Sequence, residues 1–183
     1  TALGTTYTQT LLSWHPEIRK RVRAEAREVI GDDEPGFEHA ADLSYTGKVF
    51  TEALRLYPPA WGVFRSASGA QSLGGYTIDD GSLVIMPQWS VHRDGRYFEN
   101  PDQFDPSRWD DRGPSERPAY FAFASGPHAC IGRGFAENGA RVALATLVRD
   151  FDLDVPRDQL ADLMVTPTLR PGNGIDATVS RAE

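Results

Sequence analysis

The sequence predicts an α+β fold, mainly α with a small β component. Three observations predict it. Apolar residues recur at helical spacing over Ile18–Val29, Val49–Leu56 and Phe135–Phe151. Short β-rich runs, separated by turn residues, occur between Val63 and Met86 and again in the tail. A proline-punctuated stretch, Asp94–Pro118, carries neither pattern.

Each element has a local reason. Ala2–Trp14 has few breakers and reads as the end of a helix, interrupted by His15-Pro16-Glu17. Pro16 suits the first position of a new helix, where its missing N–H has no partner to lose, and Glu17 complements the positive end of the dipole. Ile18, Val22, Ala26 and Val29 then form one face up to Gly31, a C-terminal stop. The acidic Asp32–Asp42 loop follows. Helix returns over Tyr45–Leu56 and ends at Pro58-Pro59. Val49, Ala53 and Leu56 mark one apolar face; Phe50, Leu54 and Tyr57 mark another, so this helix is expected to be buried. Val63–Ala67, Leu73–Ile78 and Leu83–Met86 read as strands, with a hairpin turn at Asp79-Asp80-Gly81. The Gly-rich Ser125–Gly134 segment precedes the helix Phe135–Phe151. The tail reads as a hairpin, Met164–Val179, turning at Pro171-Gly172-Asn173-Gly174.

Composition bounds the function. The 183 residues fit one domain, and 40% hydrophobic with 25% charged residues excludes a disordered chain. A net charge of -7 argues against a general nucleic-acid binder. No apolar run approaches the roughly 18 residues of a membrane span. The single cysteine, Cys130, excludes an internal disulfide framework and a cysteine-built zinc cage. Basic residues are 17 Arg and 2 Lys, to which no function attaches.

Two constellations carry chemistry. Cys130 lies in Phe123-Ala-Ser-Gly126-Pro-His128-Ala-Cys130-Ile-Gly132, just before a helix, where the dipole favours a negatively charged sulfur. Gly126 and Gly132 let the backbone wrap close to a flat ligand, with Phe123 beneath it. A lone cysteine is more often an inert buried hydrophobe, so the surrounding pattern decides. The second constellation is Glu52 and Arg55, which share a helix face at i, i+3. On an exposed helix they would form a trivial surface pair; on a buried one they must be satisfied internally. Arg108, in Phe104-Asp-Pro106-Ser-Arg108-Trp109, is a candidate third member, or else another surface arginine.

Together these residues resemble the cytochrome P-450 family of haem-thiolate monooxygenases. Phe123–Gly132 matches every fixed position of that family's Phe-x-x-Gly-x-Arg/His-x-Cys-x-Gly signature. Glu52 and Arg55 match its Glu-x-x-Arg helix, followed by Leu56-Tyr57-Pro58-Pro59. Phe104, Pro106 and Arg108 match its Phe-x-Pro-x-Arg segment. His15-Pro16-Glu17 resembles the break after its long central helix, and Leu169-Arg170-Pro171 its last β segment. The order and approximate spacing agree across essentially the whole chain.

The resemblance implies a fold, the C-terminal part of the cytochrome P-450 fold, and a cofactor, haem b (iron protoporphyrin IX). It implies Cys130 as the axial ligand of the haem iron, with His128 and Arg65 at the haem propionates and Phe123, Gly126 and Gly132 shaping the loop. Glu52, Arg55 and Arg108 would form a buried structural triad that holds the cysteine loop. His92 also matches a family segment and is taken as structural. Ala60, Trp61 and Val63, with Thr168 and Leu169, would border a pocket for a hydrophobic substrate. The implied activity inserts one oxygen atom from O2, with electrons from a ferredoxin or flavoprotein and Arg133 and Arg141 as docking candidates. The alternatives are a peroxide-dependent peroxygenase and a non-catalytic haem-binding protein. The absence of any membrane segment in this part and the free cysteine suit a cytoplasmic protein.

The resemblance covers only the family's C-terminal half, so residues 1–183 are expected to be a single incomplete domain. The oxygen-activating acid and threonine then lie outside the chain, and Thr1, Thr5 and Thr6 receive no catalytic role. A half-domain leaves core faces in water. The isolated chain is therefore expected to aggregate or to bind haem weakly. A sharp cooperative melt with monomeric light scattering would contradict this.

Overall fold

The computed structural model describes residues 1–182, which form five α-helices and eight short strands. Helices α1 (Ala2–Trp14) and α2 (Pro16–Val29) are joined at His15, with Pro16 in the first turn of α2 and Glu17 beside it. Ile18, Val22 and Ala26 are the buried face of α2, as their spacing predicts. Gly31 takes a φ of +56°, beyond the helix end.

Helix α3 (Ser44–Leu56) is the central element, and α5 (Arg133–Asp150) packs across it and across α1 and α2. Its two apolar faces enter two different clusters. Val49, Ala53 and Leu56 meet Leu12, Val22 and Val148; Phe50 and Leu54 meet Ala140 and Leu144. A helix covered on both sides leaves Glu52 and Arg55 with no exposure at all.

The strands depart from the sequence expectation in their pairing. β1 (Val63–Ser66) pairs antiparallel with β4 (Leu83–Met86), Val63 opposite Met86. Nested between them, β2 (Gln71–Leu73) pairs with β3 (Tyr76–Ile78). The expected single strand Leu73–Ile78 is instead a hairpin tip. Gly74 and Gly75, at φ +58° and +83°, supply the tight two-residue turn. Asp79-Asp80-Gly81 does turn the chain, with Ser82 N–H donating to Asp79 O at 3.1 Å, but it returns β4 to β1 rather than to β3.

The expected tail hairpin is also corrected. β6 (Leu163–Val165) pairs with β7 (Leu169–Pro171), turning at Thr166–Thr168. β8 (Thr178–Arg181) returns to β5 (Phe151–Asp154), a strand that leaves directly from the end of α5. Turn residues fix where a chain bends. Partner choice belongs to whichever half-buried edge lies within reach, and β5, laid against α1, offers that edge.

Asp94–Pro118 holds only short 3-10 turns, Pro106–Trp109 and Pro114–Glu116. It is nonetheless packed: Phe98 and Trp109 are buried with Tyr120, the Trp109 and Tyr120 rings edge to face at 5.0 Å. A short helix, α4 (Gln88–Val91), precedes it. Among the described residues no helix is long and apolar enough to cross a membrane.

Candidate functional site

The centre of the polar framework is Glu52. Its carboxylate receives Arg55 Nη2 at 2.8 Å and Nε at 3.0 Å, Arg108 Nε at 3.3 Å, Trp109 Nε1 at 3.0 Å and the Asp105 N–H at 3.2 Å. Arg55 spends its remaining donors on the carbonyls of His92, Pro101 and Gln103. The sequence grouping of Glu52, Arg55 and Arg108 is thus one spatial cluster, and Arg108 is not a loose surface residue. Trp109 belongs to it as well. Sequence reasoning passed over that residue although it directly follows Arg108.

The cluster leads to α4. His92 closes that helix, its N–H donating to Gln88 O at 2.8 Å, and both side chains are fully buried. The His92 ring stacks on Tyr120 at 5.1 Å, and Nε2 accepts the Phe121 N–H at 3.1 Å. Burial, with the Arg55 charge and then Arg93 adding to it, holds the imidazole down at a pKa of about 3, so it is neutral near pH 7.

Beyond Phe121 the chain forms the Cys130 loop. Ala124 takes a positive φ of +57° and its N–H donates to Phe121 O at 2.8 Å. Gly126 follows at φ +69°, where an L side chain would be strained, as the loop's sharp turn requires. Cys130 N–H then closes the loop onto Phe123 O at 2.8 Å. Gly132 has an ordinary φ of -85°, and an added Cβ would touch Cys130 Sγ at 3.9 Å.

Cys130 is exposed and borders a cleft of about 280 Å³. Thr1, Gly4 of α1, Phe50 and Leu54 of α3, Ala60, Val63 and Phe123 line it. His128 and Val63 also line an adjoining cavity, together with Arg65. Arg65 makes no ion pair among the described residues; its Nη1 reaches only Phe64 O. The two cavities join an apolar slot, with a sulfur in its wall, to a region carrying one cation and one imidazole. Such a space suits a flat apolar group with an anionic edge and an atom that accepts sulfur.

The remaining site residues divide. Ala60 and Val63 face the cleft. Trp61 does not; its indole N–H donates to Thr166 O at 2.9 Å. Leu169 is buried core, its backbone joining Pro59 O and the Tyr7 hydroxyl, and Thr168 is exposed in the β6–β7 turn. Trp61 and Leu169 therefore tie separate segments together, whereas Thr168 bonds only to Thr166 within its own turn. Gln88 lines the cleft and was not anticipated, since a glutamine in an apolar sequence context carries no functional signal by itself.

The cytochrome P-450 family profile matches residues 1–176. The chain belongs to the cytochrome P-450 family. Membership in the P-450 family implies a haem cofactor. The chain is 40% identical over 139 residues to a cyclooctat-9-en-7-ol 5-monooxygenase of Streptomyces melanosporofaciens, covering 75% of this chain and 30% of the relative. It is 36% identical over 150 residues to a pentalenene oxygenase of Streptomyces avermitilis, covering 81% and 33%. A cytokinin hydroxylase of Arabidopsis thaliana is 34% identical over 177 residues, covering 96% and 34%. The chain thus spans about a third of the length of these P-450 relatives.

Two predictions follow from the buried charges. Glu52→Gln leaves Arg55 and Arg108 without their counter-charge and is expected to cost ~3–5 kcal/mol. Asp110→Asn, which breaks the exposed pair with Lys48, costs under ~1 kcal/mol. Denaturant unfolding of the haem-loaded protein compares the two. For His92, the folded pKa of about 3 lies below the ordinary 6.5. Unfolding therefore takes up a proton below pH 6.5, so His92's contribution is complete above that value. It falls by up to ~1.4 kcal/mol per pH unit on acidification towards pH 3. His92→Gln should flatten the stability–pH curve in that window, and equal slopes for both proteins would remove His92 as the source.

Proposed function

We propose that this chain is the cysteine-bearing part of a haem-thiolate monooxygenase, with Cys130 as the ligand of a haem b iron. One observation carries the reading: the single cysteine borders an apolar cleft whose adjoining cavity holds Arg65 and His128. The residues fit the group. A thiolate supplies a soft, electron-rich ligand. Phe50, Leu54 and Phe123 supply apolar cover, and Arg65 and His128 supply donors for two carboxylates. The relatives named monooxygenase, oxygenase and hydroxylase support the activity class.

When bound, the haem supplies reductive activation of O2, with one oxygen atom inserted into a substrate C–H bond and the other released as water. The chain's own part is binding and exclusion. Cys130 would hold the iron, Arg65 and His128 would bind the propionates, and Val63 and Ala60 would present an apolar boundary to a hydrophobic substrate. Electrons come from a ferredoxin or flavoprotein. Of the two docking candidates only Arg133 remains. Its guanidinium is partly exposed beside Glu137, whereas Arg141 is tied inward to Ala40 O and lies against Gly47.

Cys130→Ala tests the assignment. The reduced carbon monoxide complex of the wild-type protein is expected to show the long-wavelength Soret band of thiolate ligation, and the variant is expected to lose it. A variant that retained the band would overturn the ligand assignment.

A further inference from the structure

The Cys130 loop is held by more than its own hydrogen bonds. Gln88 and His92 sit one helical turn apart on α4 and grip opposite ends of the same residue. Gln88 Nε2 donates to Phe121 O, and His92 Nε2 accepts the Phe121 N–H at 3.1 Å. Phe121 O also receives the Ala124 N–H, and the next step, Cys130 N–H to Phe123 O at 2.8 Å, closes the loop. On the other side, Arg55 Nη1 donates to His92 O at 2.8 Å. A continuous set of hydrogen bonds thus runs from the Glu52 cluster through α4 and Phe121 to the cysteine.

The choice of side chains is costly. Gln88 Oε1 and His92 Nδ1 are both buried without a partner among the described residues. An unsatisfied buried polar atom costs about 1–3 kcal/mol, which a residue filling the same space with carbon avoids. Packing alone would favour apolar residues at both positions. What glutamine and histidine do here that apolar residues cannot is hydrogen-bond the two peptide groups that flank Phe121 and so fix the backbone at that residue.

We propose that Gln88 and His92 are positioning residues for the Cys130 ligand, clamping the two peptide groups that flank Phe121 so that the loop presents the sulfur at the cleft. This rests on the haem-thiolate reading above. Neither side chain touches the reacting atoms in that reading; each acts through Phe121.

Three variants of the haem-loaded protein test the clamp. His92→Phe keeps a ring for stacking on Tyr120 but removes the acceptor. His92→Gln restores an acceptor near the position of Nε2. Gln88→Met keeps the volume and removes the donor. Two readouts are taken: the thiolate-type band of the reduced carbon monoxide complex, and hydrogen exchange at the Phe121 and Cys130 amides. The expected result is loss of most of that band in His92→Phe and Gln88→Met, with amide exchange faster by roughly tenfold, the equivalent of one hydrogen bond. His92→Gln should remain near wild type in both. Wild-type behaviour of His92→Phe and Gln88→Met would overturn the clamp. Equal damage in His92→Phe and His92→Gln would assign His92 to packing and overturn it too. Should His92→Phe fail to fold, Gln88→Met decides. The exchange readout separates this proposal from the ligand assignment. If the band survives Cys130→Ala, the haem-thiolate reading falls, while the Phe121 exchange rates still report on the clamp.

Discussion

A carboxylate with no exposure to water dictates much of this architecture. Glu52 sits on a helix covered by apolar side chains on both sides, so bulk solvent cannot satisfy it. A charge in that position must find its partners within the chain. It finds them in Arg55 on its own helix and in Asp105, Arg108 and Trp109 from a segment with almost no regular structure. The irregular Asp94–Pro118 stretch is therefore ordered by polar demand as well as by its buried aromatic rings. Without Glu52, the Trp109 N–H would lose its acceptor, and Arg108 would keep only the Glu99 and Asn100 carbonyls.

Arg55 extends the same logic outward. A guanidinium has five donors, and two on Glu52 leave three to place. They end on backbone carbonyls of three separate residues, His92, Pro101 and Gln103. Lysine, with a compact ammonium, could not span these acceptors in one plane. The ion pair thereby cross-links α3, the end of α4 and the following loop. The cysteine loop hangs from α4 through Phe121. Hydrogen bonds thus connect the Glu52 cluster, by way of His92 and Phe121, to the loop that carries Cys130.

Much of this was legible in the sequence, and the limits have a physical pattern. Features encoded by neighbours along the chain could be read. The helix after Pro16, the two-faced helix ending before Pro58, and the turn at Asp79-Asp80-Gly81 each rest on local sterics or on periodicity. The Glu52, Arg55 and Arg108 grouping was legible only because those residues recur in a known family pattern; spacing alone left Arg108 free to be a surface residue. Strand pairing was misread for the opposite reason. β1 finds β4 across an intervening hairpin, and β8 finds β5 across the β6–β7 pair. Nothing local distinguishes those partners from nearer ones. Gly74-Gly75, by contrast, was a local signal that lay in plain view inside a run of β-formers. Trp61 and Leu169 show the same limit: pocket walls and inter-segment ties have the same composition, and only the fold separates them.

The placement of polar groups along the cleft follows a consistent division. Where the wall is formed by α1 and α3 it is apolar, since those helices turn residues such as Leu54 and Phe50 towards it. Where the wall is the Cys130 loop, the backbone is held by its own hydrogen bonds, and the side chains of Cys130 and His128 stay exposed. A loop that presents reactive groups to a ligand cannot also bury them to gain stability. Its order has to come from behind. Gln88 and His92 supply that order from α4, and the Glu52 ion cluster in turn anchors α4. Stability and presentation are thereby assigned to different residues, so the exposed face of the loop can be shaped by its ligand while the buried face remains constant.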